Sequence, residues 1–289
     1  MKILLIGASG QLAQDILRTW TKHEIVPVTH EALDICDPAR VQTTVDATRP
    51  DCIVNTAAYH LVDLCEDEAQ RAFGVNVGGV SNVARAAERA GAALVQFSTD
   101  YVFDGGKRSP YVESDPARPL STYAMSRLAG EWAVRHYCSR HFVVRTCGLY
   151  GLAGSRSKAG NFVETMLKLA RAGKPIRVVA DQIVTPTSTF DLAQKLEELV
   201  TGAPFGLYHM TNTGHCSWYE FAAEVFRLFD VQADLSPTTT AAFGARARRP
   251  VYSVLDNKAM RDAGISEFRT WQEALADYAH KRRVAAATI

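Results

Sequence analysis

The stretch Lys2-Ile3-Leu4-Leu5-Ile6-Gly7-Ala8-Ser9-Gly10-Gln11-Leu12-Ala13 decides the fold. A short apolar run with β-branched residues ends in glycine, and a helical pattern begins at once, which reads as strand, tight turn, helix. Gly7 and Gly10 permit a sharp turn and let a pyrophosphate approach amides at the positive end of the helix. The third small position is Ala13, which still allows close helix–strand packing. Plain strand–helix junctions use glycines too. The full strand–turn–helix context favours dinucleotide binding, with Gly7, Ser9, Gly10, Gln11 and Leu12 as the contacts.

The rest of the composition suits such a fold. The chain has 289 residues, 47% apolar and 22% charged, which is enough for a large core and unlike a disordered segment. A formal net charge of +1 excludes a general nucleic-acid or membrane-surface binder. Six cysteines (Cys36, Cys52, Cys65, Cys138, Cys147, Cys216) have no C-x-x-C spacing, which argues against a zinc site or disulfide framework. They fit a reducing cytoplasm. Met1-Lys2 leads straight into the first strand, so no signal peptide is expected, and no apolar run is long enough to span a bilayer.

Further along, Glu24 to Val28 reads as a second strand closing at Thr29-His30. An acidic residue there would hold a ribose 2′-OH and a basic one a 2′-phosphate. With neither a carboxylate nor an arginine, NADPH or NADH both fit, with a slight lean to NADPH. Asp37-Pro38 has the signature of a helix start, Asp37 capping and Pro38 in the first turn. Asp34, next to Ile35, reads equally as an adenine-facing carboxylate or a solvated loop residue. Asp51 to Asn55 is a third buried strand, followed by small residues at Ala57 and Ala58, beside Tyr59, where a cofactor could lie close.

A single helix is expected from about Glu66 to Ala90, with Asn76 inside it as a surface residue, a packing compromise or a brace for nearby backbone. Ala92 to Phe97 is a fourth parallel strand, ending at Ser98-Thr99-Asp100, and such strand ends are where doubly wound sheets place their chemistry. The next helix, within Pro119–Tyr137, carries Tyr123 and Arg127 one turn apart on one face. His141 to Arg145 is another strand. This alternation predicts an α/β doubly wound parallel sheet with right-handed crossovers. Residues 1–150 form its dinucleotide-binding domain, with segments about 187–210 returning to it. Residues 151–186 and 211–289 form a smaller cap.

A cation beside a tyrosine favours tyrosinate, and such a tyrosine can give a proton to a carbonyl oxygen as hydride reaches its carbon. Thr99 could bond the same oxygen. Tyr-x-x-x-Arg alone carries no weight, since helices hold such pairs by chance. Its weight comes from following a cofactor turn and a polar strand end in order.

These residues, with Leu33-Asp-Ile-Cys-Asp37, Asn55 to Asp63, Val75-Asn-Val-Gly78, Ser98-Thr-Asp-Tyr-Val-Phe-Asp-Gly105, Tyr123 to Glu131, Ser217-Trp-Tyr-Glu-Phe221 and Arg249-Pro250, carry a resemblance over nearly the whole chain. The sequence resembles the extended short-chain dehydrogenase/reductases, in their dTDP-4-dehydrorhamnose reductase branch. The resemblance implies a Rossmann-type sheet with a C-terminal α/β substrate-binding cap. It also implies NAD(P)H-dependent reduction of the 4-keto group of a nucleotide-linked 6-deoxyhexose. Tyr123 would be the general acid, Thr99 the carbonyl partner, and Arg127 the cation contacting the ribose. Asp100 and Tyr101 would line the sugar site, with His60 and Gly148 nearby. Asn161, Phe162, Gln182 and Arg249 would face the nucleotide diphosphate. Arginine suits a diphosphate, although beside a proline it also reads as a plain surface charge.

The chain departs from that branch at several points. Arg127 stands where lysine is usual, Ala124 replaces glycine, Gly148 replaces a frequent tryptophan, His60 a threonine and Val184 a glycine. These changes bear on the substrate more than on the fold or cofactor. His60 also reads as an ordinary surface histidine, and Trp218, Tyr219 and Phe221 as core packing of a cap helix. Two further readings stay open. One is a non-catalytic, dinucleotide-binding regulatory subunit resembling the methionine adenosyltransferase β subunit. The other is a reductase of another small carbonyl. The partner set is a nucleotide-sugar substrate, no nucleic acid and no membrane, for a monomer or homodimer. Glu267, Glu273 and Asp277 near the C-terminus are too few for a metal site, so none is expected.

Overall fold

Six parallel strands form the central sheet of the chain, which a computed structural model describes over residues 1–154 and 160–287. In order, the N-terminal half runs β1 (Lys2–Ile6), α1 (Gln11–Thr19), β2 (Glu24–Val28), α2 (Pro38–Thr48), β3 (Cys52–Asn55), α3 (Ala69–Phe73), α4 (Val80–Ala90), β4 (Ala93–Thr99), α5 (Thr122–Tyr137) and β5 (His141–Thr146). The second half runs β6 (Leu149–Tyr150), α6 (Phe162–Arg171), β7 (Ile176–Val179), β8 (Ile183–Val184), β9 (Thr187–Ser188), α7 (Thr189–Gly202) and β10 (Gly206–His209). It ends with β11 (Cys216–Ser217), α8 (Trp218–Phe229), β12 (Leu235–Thr238), α9 (Thr240–Phe243), α10 (Lys258–Asp262) and α11 (Trp271–Ala287).

The sheet order is β10-β5-β4-β3-β1-β2, all parallel, so the chain starts one strand in from an edge, adds β2 as that edge, then crosses back over β1 and winds on to β10 at the other edge. Every residue of β3 and β4 is buried, as strands covered on both faces by helices require. On one face Leu12, Ile16 and Trp20 pack with Leu192, Ala193, Leu196 and Leu199 of α7, and the Trp20 indole donates to the Ala193 carbonyl at 2.8 Å. Met260, Ile265 and Phe268 join this core, so the 211–289 segment, expected in the cap, also sends side chains to the main sheet. On the other face Val41 and Val45 of α2, Val80 and Val83 of α4 and Val134 of α5 cover the sheet. This is a Rossmann-type doubly wound fold. The smaller core gathers α6, α8 and α11 around Phe221, Trp271 and Tyr150.

Local chemistry explains several boundaries. Asp37 caps α2, accepting from the Ala39 and Arg40 amides, with Pro38 at the first helical position. Ser217 and Glu220 form a reciprocal capping box at α8. The helix expected from Glu66 to Ala90 starts after a separate 3₁₀ turn (Leu64–Glu66) and runs without interruption from Ala69 to Ala90, as α3, a π-helical segment (Gly74–Gly79) and α4. Glycine at 74, 78 and 79 removes side chains there, and Gly79 lets Ile35 pack against the segment. Strand β4 runs two residues further than expected, through Ser98 and Thr99. Among the described residues no helix is long and apolar enough to cross a membrane. The glycine- and serine-rich stretch 151–160 lies partly outside the described residues.

Candidate active site

The C-terminal ends of the parallel strands β1, β3, β4 and β5 lie along one edge of the sheet, where such folds place their ligand crevice. The first turn forms one wall. Gly7 has φ +79°, and a Cβ there would sit 2.6 Å from Thr56 Oγ1, so the turn needs glycine on both counts. The Gly7 and Ala8 amides donate to the Val28 carbonyl at 2.9 and 3.0 Å, tying the turn to the end of β2. No side chain caps α1, whose N-cap is Gly10, and this leaves a positive helix end facing the crevice. Gln11 donates to the Leu149 carbonyl at 3.1 Å, and Leu12 turns inward to the core. Ser9 is half-buried on this turn, while Asp34 is exposed and accepts from the Cys36 amide at 2.9 Å. Ile35 is buried.

The next wall is the segment after β3. Asn55 Oδ1 accepts from the Ala57 amide at 3.1 Å. Asn76, 1% exposed inside the π-helical segment, takes the Tyr59 amide on Oδ1 and gives Nδ2 to the Tyr59 carbonyl, both at 2.9 Å. The same Nδ2 reaches Ser126 Oγ at 2.9 Å, and Ser126 Oγ donates to the Tyr123 carbonyl at 2.7 Å. Asn76 therefore braces the segment of Ala57, Ala58 and Tyr59 against the helix that carries Tyr123. His60 Nδ1 lies 3.2 Å from the Ala58 carbonyl.

Ser121 caps α5, and Tyr123 and Arg127 project from it toward β4. Thr99, at the end of β4, stands beside Tyr123, receives the Tyr101 amide at 3.2 Å and donates to Asp100 Oδ1 at 3.1 Å. Tyr101 meets Tyr123 edge-on, with centroids 6.2 Å apart. Burial raises the Tyr123 phenol above its ordinary range, and the Arg127 charge and the Thr99 hydroxyl oppose this. The group is therefore held protonated at neutral pH, next to a cation that stabilises its anion.

Arg127 is buried, and its Nη2 donates to the Phe97 carbonyl. Among the described residues Nη1 has no hydrogen-bond partner. A buried guanidinium nitrogen left open is expensive, and a ribose hydroxyl is the kind of group that would answer it. With the open helix end and the Gly7 cradle, this fits a bound dinucleotide.

Asp100 is fully enclosed. Ser253 Oγ donates to its Oδ2 at 2.5 Å and Cys147 Sγ approaches the same oxygen at 3.0 Å. Desolvation raises its pKa against these donors. The neighbouring Gly148 has φ +55°, and a Cβ there would meet Trp218 Cη2 at 3.1 Å and Pro186 Cα at 3.2 Å. The cap's Trp218 thus stands against the backbone where another side chain would project. Trp218 stacks obliquely on Phe162 at 4.7 Å.

Of the side chains expected to face a diphosphate, Arg249 holds Asp63 through a two-pronged ion pair of 2.7 and 3.1 Å, with its charge near Tyr101. Asn161 spends its amide on capping α6 and on the Gly151 carbonyl at 2.9 Å. Gln182 is buried and donates to Thr240 Oγ1 at 3.0 Å. The structure therefore gathers Thr99, Asp100, Tyr101, Tyr123, Arg127 and Arg249 in one cluster, with Gly148 beside it. Asn161 and Gln182 make their bonds inside the cap. Asp63, Cys147 and Ser253 were not anticipated, because each gains its place only through a distant partner. Among the described residues no group of three or more His, Cys, Asp or Glu side chains could hold a metal ion.

A dinucleotide turn feeding a Tyr/Thr/cation cluster at the end of β4 defines a reductase of the extended short-chain dehydrogenase/reductase class. More particularly, a model of the RmlD substrate binding domain matches residues 1–284, and the chain belongs to that family. The chain is 40% identical over 283 residues to the spore coat polysaccharide biosynthesis protein SpsK of Bacillus subtilis, covering 97% of this chain and 98% of that one. It is 36% identical to a dTDP-4-dehydrorhamnose reductase of Burkholderia thailandensis, over 95% and 97% of the two chains. The crystal structure of a dTDP-4-dehydrorhamnose reductase from Bacillus anthracis in complex with NADP superposes with a TM-score of 0.93 at 37% identity, over 97% and 99% of the two chains.

Proposed function

We propose that the chain reduces the 4-keto group of a nucleotide-linked 6-deoxyhexose, in deoxysugar biosynthesis, using NADPH or NADH. The nicotinamide, when bound, supplies the hydride. Tyr123 gives its phenolic proton to the sugar carbonyl oxygen, which becomes the hydroxyl, and Arg127 stabilises the tyrosinate left behind. Thr99 bonds the same oxygen and orients it toward Tyr123. Gly7, Ser9, Gly10, Gln11 and Leu12 hold the pyrophosphate side of the cofactor. Ile35 and Asp34 sit toward its adenosine, and Ala57, Ala58 and Tyr59 along its length. Asp100, Tyr101, His60 and Gly148 border the sugar, with Trp218 as its aromatic neighbour. Asn161, Phe162, Gln182 and Arg249 form the nucleotide-diphosphate side. The enzyme works in the cytoplasm as a monomer or homodimer; six free cysteines support that compartment.

One observation carries this reading: a protonated, half-buried tyrosine stands beside a threonine hydroxyl and a buried arginine with an open nitrogen. The test follows NADPH oxidation with a dTDP-4-keto-6-deoxy sugar. Wild-type turnover that falls by about 10²-fold or more in Tyr123→Phe, with NADPH affinity retained, supports it. A wild type that binds NADPH and turns over no 4-ketosugar overturns it.

A further inference from the structure

We propose that Glu131 is a positioning residue for the reducing site, acting through Ser98 and Arg145 to fix the height of α5 and hence the placement of Tyr123 and Arg127 against β4. The inference rests on the roles assigned above to Tyr123 and Arg127.

Three consecutive residues of β4 meet three successive turns of α5. Thr99 sits beside Tyr123, the Phe97 carbonyl takes Arg127, and the Ser98 hydroxyl donates to Glu131 Oε1. Residues 123, 127 and 131 are spaced four apart, so they lie on one helix face. The first two contacts involve the working groups, which a ligand would also engage. The third lies one turn further along α5 and is wholly buried. Glu131 and Arg145 are 2% and 4% exposed, and Arg145 grips the carboxylate with Nε at 2.9 Å and Nη2 at 2.7 Å.

The grip extends further. Arg145 Nη1 lies 3.5 Å from His209 Nε2, while His209 Nδ1 faces the carbonyls of Tyr111 and Asp256 at 3.0 and 3.2 Å. Two carbonyls require a donor, so Nδ1 carries the hydrogen and Nε2 offers its lone pair to Arg145. The Arg145 guanidinium also lies over the Phe103 ring, 5.2 Å from its centroid. Strands β4 and β10 and the loop after β4 thus each contribute a partner to the pair.

Stability alone does not call for this arrangement. A buried ion pair is costly to desolvate, and apolar groups of the same volume usually stabilise a core as well or better. Its distinctive property is direction. Bidentate hydrogen bonds fix angle and distance where apolar packing would let the helix slide. A displacement on the order of 1 Å at reacting groups is enough to slow chemistry markedly. Arg145 is also followed by Thr146 and Cys147, and Cys147 bonds Asp100, so the same base supports the opposite wall.

The test uses Ser98→Ala, which removes one hydroxyl and leaves the ion pair intact, with Glu131→Ala and Glu131→Gln beside it. Each is compared at equal folded fraction, judged by circular dichroism. Wild-type turnover of the 4-ketosugar is read first. Its absence counts against the reductase reading alone, and the positioning claim is then judged from Tyr123 by itself. That readout is an ultraviolet difference titration of tyrosinate, with Tyr123→Phe as the blank. The expected result for Ser98→Ala and Glu131→Ala is a kcat about tenfold lower with the sugar KM within about twofold. Their Tyr123 midpoint should rise by about half a pH unit, since the opposing Arg127 and Thr99 draw away. Glu131→Gln keeps the accepting oxygen and the shape, and should recover most of the rate relative to Glu131→Ala. A folded Ser98→Ala with wild-type kcat and an unmoved Tyr123 midpoint overturns the proposal.

Discussion

Arg127 donates one guanidinium nitrogen to the main-chain carbonyl of Phe97 and leaves the other buried without a partner among the described residues. The cation is thus tied into the strand that ends in Thr99, and only half of its fork is free to work. A lysine has a single nitrogen and cannot occupy both places with the same geometry. Arg127→Lys should therefore lower kcat/KM about tenfold or more. Steady-state kinetics with the 4-ketosugar check this, and a lysine variant equal to or faster than wild type sinks it.

The Asn76 brace makes a separate prediction. Asn76→Ala removes both bonds to the Tyr59 backbone and leaves a buried amide and carbonyl unanswered. The cost should be about 1–3 kcal/mol in unfolding free energy. Because the braced segment is the one proposed to run along the cofactor, the dissociation constant for NADPH should rise as well. Denaturant melts and a fluorescence titration read the two effects apart.

Gly148 combines a left-handed backbone with crowding by Trp218 and Pro186. Gly148→Ala should cost about 1–2 kcal/mol from the backbone, with added strain from Trp218. Adding Trp218→Leu should return part of that loss. A double-mutant cycle on thermal stability measures the coupling, and strict additivity would mean the indole does not press on residue 148.

His209 supplies the pH prediction. Burial, then the charge of Arg145, pushes its pKa down to about 3. Between its ordinary value near 6.5 and about 3, the unfolded chain takes up a proton that the folded chain refuses. Stability should therefore fall as pH drops through that window, and His209 should add nothing above it. In His209→Gln the slope of unfolding free energy against pH should flatten there. An unchanged slope would show that His209 titrates normally.

Much of this was readable in the chain. The Gly7 to Ala13 turn, the Asp37-Pro38 helix start and the Tyr123–Arg127 spacing each depend on neighbours within a few residues, so local chemistry dictates them. The π-helical register of Gly74–Gly79 was not legible, since three glycines in a helical pattern do not say whether the ladder shifts register. Asp63 with Arg249, Ser253 with Asp100 and Glu131 with Arg145 and His209 were also hidden. Those partners lie tens to hundreds of positions apart, and only the winding of the sheet brings them together.

That winding also sets an order of events during synthesis. The sheet's outer neighbour for His141–Thr146 is Gly206–His209, which is made some sixty residues later. Until it emerges, β5 presents an open row of amides and carbonyls, and the Arg145 side chain lacks the histidine that completes its partners. A nascent chain stalled before residue 206 thus carries a sticky, unfinished edge, and the chain's vulnerability to aggregation should be concentrated in that interval of translation.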